Sequence, residues 1–310
     1  MIRIGFLLID GFAMMSYSSV IEPLRAANLL SDREFYQIKH FSLREVALSS
    51  TGAKIDTNNI EKEKDKLDII FICAGGDPFS FSNKKLLDWI RKKAREGSVL
   101  AGVSGGPIIL AKAGLMDGKR MTLHWEHSDT FKEIWPTILL EKSLFVIDGN
   151  RITCAGGIAP LDLMHTLISE HYGESFARKV SDWFMHTEVR PPGGPQRSGI
   201  LERYNIRNSK IIVAIETMEN HLSNNLTLHE ISKIVGISTR QLNRLFDKHL
   251  NQSTMSFYKQ LRLELSQKLL SQSHLSITEV AFSCGFTSSS QFSQNFREKY
   301  GQSPSKFKNI

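Results

Sequence analysis

The second half of this chain repeats itself. Residues 226–250 read LTLHEISKIVGISTRQLNRLFDKHL, and residues 275–300 read LSITEVAFSCGFTSSSQFSQNFREKY. Aligned on Gly236 and Gly285, they follow one plan: a Thr or Ser, a short amphipathic stretch, Gly with an apolar residue behind it, Ser or Thr, and a second amphipathic stretch. That plan predicts two helix-turn-helix motifs joined by a helix over 253–272. Thr227 and Ser276 each precede a Glu by three residues, the spacing of a capping box. Gly236 and Gly285 stand where a tight turn needs positive φ. The half that holds them is helical in character, with few β-branched runs, and is expected to be an all-α domain.

Helical spacing places Leu242, Leu245 and Phe246 inward in the first motif, and Phe292, Phe296 and Tyr300 inward in the second. Left facing outward are Arg240, Gln241, Asn243 and Arg244 in the first, with Ser238 and Thr239 at its start. In the second they are Ser289, Ser290, Gln291, Ser293 and Gln294, with Ser288 at its start. Such side chains donate to phosphates and read base edges. The charge agrees. Residues 1–190 hold 24 Lys and Arg against 24 Asp and Glu, while residues 191–310 hold 15 against 8. The whole formal excess of +7 therefore lies in the repeated half, as expected of a polyanion-binding module.

The first half has a different rhythm. Apolar runs at 2–9, 67–75 and 98–104 are bounded by Gly, Ser or Asp and read as buried parallel strands. Helical stretches at 18–30 and 83–97 alternate with them, and residues 152–173 read as a last strand, a Gly-rich turn and a helix. The expected fold is a doubly wound parallel α/β sheet followed by the all-α domain. The segment HTEVRPPGGPQRSG (186–199) can continue neither a helix nor a central strand. The expected organisation is therefore a first domain over 1–187, a linker over 188–209 and the repeated domain over 210–310. Cys73, Cys154 and Cys284 lie far apart, which argues against a disulfide framework or a zinc site. No run reaches the length of a membrane span, and the N-terminus lacks signal-peptide features. We expect no metal or cofactor, and a cytoplasmic protein.

One stretch of the first half invites chemistry. In LAGVSGGPIILAKAG, Ser104 ends a strand and Gly105 and Gly106 open a helix. A strand-to-helix turn of this kind exposes a nucleophile in hydrolases, but a serine there needs a base and an orienting partner.

Both halves resemble known families. Residues 210–308 resemble the AraC-type DNA-binding domain, most closely over ITEVAFSCGFTSSSQFSQNFREKYGQSPSKFK; Phe307-Lys308 replaces the usual aromatic-Arg ending. That resemblance implies two recognition helices in successive major grooves of promoter DNA. Residues 1–187 resemble the ThiJ/PfpI type of class I glutamine amidotransferase-like, flavodoxin-like domain, through LIDGFAMMSYSSVIEPLRAAN, IIFICAGGDP, AGVSGGPIILAKAGLMDGKRMTLHW and AGGIAPLDLMHTLI. Enzymes of that superfamily carry a cysteine where Ser104 stands. The resemblance assigns Glu22 to an acid that contacts the nucleophile, His124 to a histidine of the site, and Gly75-Gly76 to an oxyanion-binding amide.

The pair of domains is similar to the GlxA-type transcriptional regulators, nearest to those of amine catabolism. This implies a catalytically inactive sensor of an amine, betaine or amino acid, a homodimer, and an activator with RNA polymerase as a further partner. The ligand's carboxylate is expected at Ser104, Gly105 and Gly106. Its cationic nitrogen is expected among Trp125, Phe79, Tyr17, Glu22 and Glu126. The rival expectation is an amidase- or protease-like hydrolase with Ser104 as nucleophile and His124 as base.

Overall fold

A computed structural model describes residues 1–63 and 65–308. Lys64, in the expected first domain, and Asn309 and Ile310, at the end of the expected second, lie outside the described residues. The chain divides into two compact units, Met1–Gln196 and Arg197–Ile310.

The strands of the N-terminal unit are β1 (Ile2–Leu8), β2 (Tyr36–Ser42), β3 (Val46–Leu48), β4 (Lys54–Asp56), β5 (Asn58–Asn59), β6 (Ile69–Ala74), β7 (Val99–Ser104), β8 (Arg120–Met121), β9 (Leu139–Leu140), β10 (Phe145–Asp148) and β11 (Arg151–Cys154). Seven make the main sheet, in the order β10-β11-β7-β6-β1-β2-β5. Every pairing in it is parallel except β10 with β11. The helices are α1 (Met14–Leu30), α2 (Lys84–Arg95), α3 (Gly106–Lys112), α4 (Ser128–Ile134), α5 (Ala159–Tyr172) and α6 (Glu174–Trp183). This is the expected doubly wound α/β architecture.

The apolar runs read as strands from sequence are β1, β6 and β7, and they are continuous because both faces are covered. Ile4, Phe6, Leu8, Ile69, Phe71 and Cys73 pack with α1, α5 and α6. Leu7, Ile70, Ile72, Ala74 and Leu100 pack with α2 and α3 on the other side. The sequence reading missed β2. Its run YQIKHFS carries Gln37, Lys39 and His40, and its outer neighbour β5 is only two residues long. A strand near the sheet edge tolerates polar residues that a central one does not.

The C-terminal unit is helical: α7 (Ile200–Tyr204), α8 (Ser209–Asn220), α9 (Leu228–Val235), α10 (Thr239–Leu250), α11 (Thr254–Gln272), α12 (Ile277–Ser283), α13 (Ser289–Tyr300) and α14 (Pro304–Lys308). The repeat is realised as α9-turn-α10 and α12-turn-α13. Gly236 holds φ +72° and Gly285 φ +70°. Thr227 with Glu230, and Ser276 with Glu279, form the capping boxes.

Residues at the start of the expected linker make specific contacts with the N-terminal unit. Asp162 is fully buried (0% exposed) and accepts hydrogen bonds from Arg190 N at 2.8 Å, Nε at 3.0 Å and Nη2 at 2.6 Å, with His186 Nε2 at 3.0 Å. Leu144 N donates to the Pro192 carbonyl at 2.7 Å, and residues 200–204 form α7. A buried carboxylate demands cationic partners, and that demand straps the proline-rich segment onto the N-terminal unit.

Candidate functional site

At the carboxyl end of β7, Ser104 holds φ +60°, a left-handed conformation that costs a non-glycine residue about 1–2 kcal/mol. Packing imposes it. A Cβ on Gly102 would lie 2.5 Å from Pro107 N, and one on Gly106 would lie 2.0 Å from the Ile72 carbonyl oxygen. A Cβ on Gly105 would crowd Pro78 at 3.1 Å and Ala74 at 3.2 Å. The glycines therefore let α3 press onto β6. Gly105 N donates to the Ala74 carbonyl at 3.0 Å, Pro107 has no N–H, and Ile108 N turns back to the Gly105 carbonyl at 3.1 Å. Gly106 is left as the elbow's candidate donor.

Three segments meet at Ser104. A Cβ on Gly156, which holds φ +98°, would lie 2.9 Å from Ser104 Cβ and 3.0 Å from Ser16 Oγ. Ser16 Oγ in turn accepts from Gly157 N at 2.8 Å. The α1 side chain beside the elbow is thus the buried hydroxyl of Ser16, a residue the sequence reading passed over. Glu22 lies six residues on, about 9 Å along the helix axis, and its carboxylate pairs with Arg25 at 2.7 Å. Among the described residues Glu22 makes no hydrogen bond to Ser104.

Among the described residues Ser104 Oγ has no hydrogen-bond partner, so no base or orienting group engages it. Cys73 and Cys154 flank the same strand, each in register with Val103. Both are buried, and burial pushes the Cys154 thiol up to about 12 and raises that of Cys73 as well. Neither supplies a thiolate.

His124 precedes a single 3₁₀ turn, Trp125–His127, where its Nδ1 accepts from Glu126 N at 3.3 Å. Its ring lies 5.3 Å from that of Trp125 and 6.1 Å from that of His127. His127 meets the edge of Phe79 at 5.5 Å, and Phe79 is buried against Trp135. Gly75 lets the loop after β6 cross the β1–α1 loop: a Cβ there would lie 2.4 Å from the Gly11 carbonyl oxygen. Gly76 holds φ +61°.

Tyr17 is buried, with its hydroxyl 2.8 Å from His40 Nε2. Burial raises the tyrosine and lowers the histidine. Tyr17 and Phe79 are thus core rings rather than open faces for a cation, whereas Trp125 is half-buried.

Sequence reasoning also missed Gln196. Its Oε1 accepts from Trp125 N at 2.8 Å. Its Nε2 donates to Thr122 Oγ1 at 3.1 Å, Leu123 O at 3.1 Å and Ser143 O at 2.6 Å. One glutamine in a Pro/Gly-rich stretch carries no periodic signal that could have singled it out.

In the C-terminal unit the outward faces are where spacing put them. Ser238, Arg240, Gln241 and Arg244 are exposed in the first motif, as are Ser288, Ser290, Gln291 and Gln294 in the second; Thr239 and Ser289 are half-buried. Several are already committed. Asn243 Oδ1 accepts from Thr254 N at 3.1 Å and so steadies the start of α11. Gln241 Oε1 accepts from Ser238 N at 3.1 Å. Ser288 Oγ accepts from Gln291 N at 3.2 Å, Thr287 Oγ1 donates to Gln291 Oε1 at 3.0 Å, and Gln294 Nε2 donates to Glu298 at 3.1 Å. Arg240 and Arg244 form no ion pair among the described residues.

Comparison with known proteins accounts for both units. Residues 2–170 match the DJ-1/PfpI family, and residues 231–310 match a helix-turn-helix domain. The chain is 40% identical over 304 residues to the HTH-type transcriptional regulator GlxA of Rhizobium meliloti (strain 1021), covering 97% of this chain and 94% of that protein. It is 39% identical over 301 residues to the HTH-type transcriptional regulator CdhR of Pseudomonas aeruginosa, covering 97% and 89%. Among solved structures, an AraC family transcriptional regulator from Pseudomonas putida shares the fold with a TM-score of 0.53 at 24% identity, over 59% of this chain and 100% of that one.

Proposed function

This chain belongs to the DJ-1/PfpI family and, over nearly its whole length, to the GlxA kind of AraC-type regulators; it is a DNA-binding transcriptional regulator, and we propose that a small molecule held at the Ser104 elbow controls it. One observation carries the proposal. The elbow keeps its left-handed Ser104, yet no described side chain hydrogen-bonds that hydroxyl. The shape of a reactive site persists without the base that a serine nucleophile requires, which supports binding over catalysis.

The effector is an amine, betaine or amino acid. Its carboxylate is received by Ser104 and Gly106, and its cationic nitrogen by the Trp125 face with Glu126 and His124 nearby. Phosphates and base edges are met by Ser238, Thr239, Arg240, Gln241 and Arg244 in one motif and by Ser288, Ser289, Ser290, Gln291 and Gln294 in the other. Homodimerisation, activation and contact with RNA polymerase rest on kinship alone.

All four tryptophans, Trp89, Trp125, Trp135 and Trp183, lie in the N-terminal unit, so intrinsic fluorescence reports its melting without interference. A screen of amino acids, carnitine and glycine betaine is expected to yield a ligand that raises that melting temperature. Stabilisation grows to about 2.7 kcal/mol at a hundredfold excess over Kd. A screen in which nothing stabilises the unit overturns the sensor reading. The strain at Ser104 is also what a nucleophile elbow shows, so Ser104→Ala is the second arm. Amide or ester turnover by the wild type that is lost in the variant would establish the hydrolase reading instead.

A further inference from the structure

Helix α11 runs through both cores of the C-terminal unit. Phe257, Tyr258 and Leu261 belong to the core of the first motif, and Leu263, Leu265, Leu269 and Leu270 to that of the second. Arg262 falls on the seam between them, only 8% exposed. Its guanidinium carbon lies 5.1 Å from the Tyr258 ring centroid and 5.1 Å from that of Phe286. Its Nη1 donates at 3.0 Å to the carbonyl of Gly285, the left-handed turn residue of the second motif. Tyr258 in turn donates its hydroxyl to the His221 carbonyl and accepts from Leu226 N at 3.4 Å. The same loop presses on the second turn, since a Cβ on Gly285 would lie 2.7 Å from the Leu222 carbonyl oxygen.

A cation is a poor choice for a seam made only for stability. Among the described residues no carboxylate pairs with Arg262, its Nε is buried without an acceptor, and burial lowers its pKa. An apolar side chain of the same length would avoid those penalties. What arginine adds is a planar fork that fixes direction as well as distance, held between two aromatic faces.

We propose that Arg262 is a positioning residue for DNA recognition, setting the orientation of α13 relative to α10 and hence the spacing of the two half-sites the protein accepts. The inference rests on both motifs engaging DNA.

The test uses the full-length protein and a duplex that it enriches from a random-sequence pool. The second probe is that duplex with one base pair inserted between the half-sites, which rotates and shifts the second site by one step. Wild type is expected to bind the inserted duplex about tenfold more weakly or worse. R262M is expected to fold with wild-type helicity and melting temperature, yet to lose less than about threefold on insertion. R262K keeps the charge but not the fork and is expected to behave like R262M.

An R262M protein that discriminates as wild type does would overturn the proposal. So would an R262M protein that fails to fold, because Arg262 would then hold the core together rather than orient its halves. A wild type indifferent to the insertion would remove the premise that both motifs engage DNA, and the proposal with it.

Discussion

The two helix-turn-helix motifs share caps, turn glycines and inward aromatic or aliphatic positions, yet they differ in what they expose and in how their turns are held. The first presents Arg240 and Arg244 on α10; the second presents Ser288, Ser290, Gln291 and Gln294 around the start of α13. The Gly236 turn has room for a Cβ, whose nearest neighbour would be Lys210 Nζ at 3.8 Å, and that amine donates to the Val235 carbonyl at 2.9 Å. The Gly285 turn is closed over by Leu222, Ser223 and Arg262. One motif therefore carries charge beside a turn held by a flexible lysine, and the other carries neutral donors beside a turn crowded by backbone. Repetition of a sequence plan preserves local geometry and leaves the surroundings free to diverge.

The largest expected effect separates the two surfaces. Replacing Arg240 and Arg244 by Ala weakens DNA binding about tenfold or more per side chain and lowers the salt slope by about 1 for each phosphate no longer neutralised. Replacing Ser290 and Gln291 by Ala weakens it less and leaves the salt slope unchanged, because no charge is removed. Titrations of the full chain at several salt concentrations measure both. Equal slopes in the two variants would erase the distinction between a charged and a neutral reader.

The turns come next. Gly285→Ala must adopt positive φ and also collide with the Leu222 carbonyl, for a loss of about 3 kcal/mol, whereas Gly236→Ala meets only the conformational cost of about 1–2 kcal/mol. Chemical denaturation followed by far-ultraviolet circular dichroism ranks them. The reverse order would contradict the crowded turn.

The caps should not differ. Thr227→Ala and Ser276→Ala each remove one member of a capping box, and each is expected to cost about 1 kcal/mol. A pair of values far apart would show that the motifs diverge even in their local geometry.

The smallest effect, a pH dependence, sets the C-terminal motifs against the N-terminal unit. Burial lowers His40 and His171 from 6.5, so the unfolded N-terminal unit takes up protons first. That part of its stability is intact above 6.5 and is lost as the pH falls through it. The capping carboxylates Glu230 and Glu279 are lowered from 4.5 by their hydrogen bonds to Thr227 and Ser276, so their contribution is lost only below 4.5. Tryptophan fluorescence is expected to report weakening between pH 6.5 and 4.5 while helicity of the motifs persists. Simultaneous loss would break the comparison.

Much of the fold was legible because its causes are local. The capping boxes act over three residues, and the left-handed glycines follow from single positions in a repeated plan. β1, β6 and β7 announced themselves as unbroken apolar runs because both faces are buried. β2 did not, since its edge environment admits Lys39 and His40. At the elbow the sequence identified the turn but not its reasons. Gly106 answers to Ile72 and Gly105 to Ala74, both about thirty residues away in the chain. The resemblance names Glu22 as the acid beside Ser104; its carboxylate pairs with Arg25, and Ser16 meets the Gly156-Gly157 turn beside the elbow.

By itself, then, the sequence determined the two motifs, their caps and turns, the parallel strands and the confinement of the net positive charge to one unit. All of these follow from periodicities and hydrogen bonds that span a few residues. Only the tertiary structure decided which polar groups are already spent. Gln196 on Trp125, Arg190 on Asp162, Asn243 on Thr254 and Arg262 on Gly285 are partnerships across 71, 28, 11 and 23 residues. A buried donor or acceptor must find a partner wherever the fold brings one, and that is a property of the packed chain rather than of any window within it.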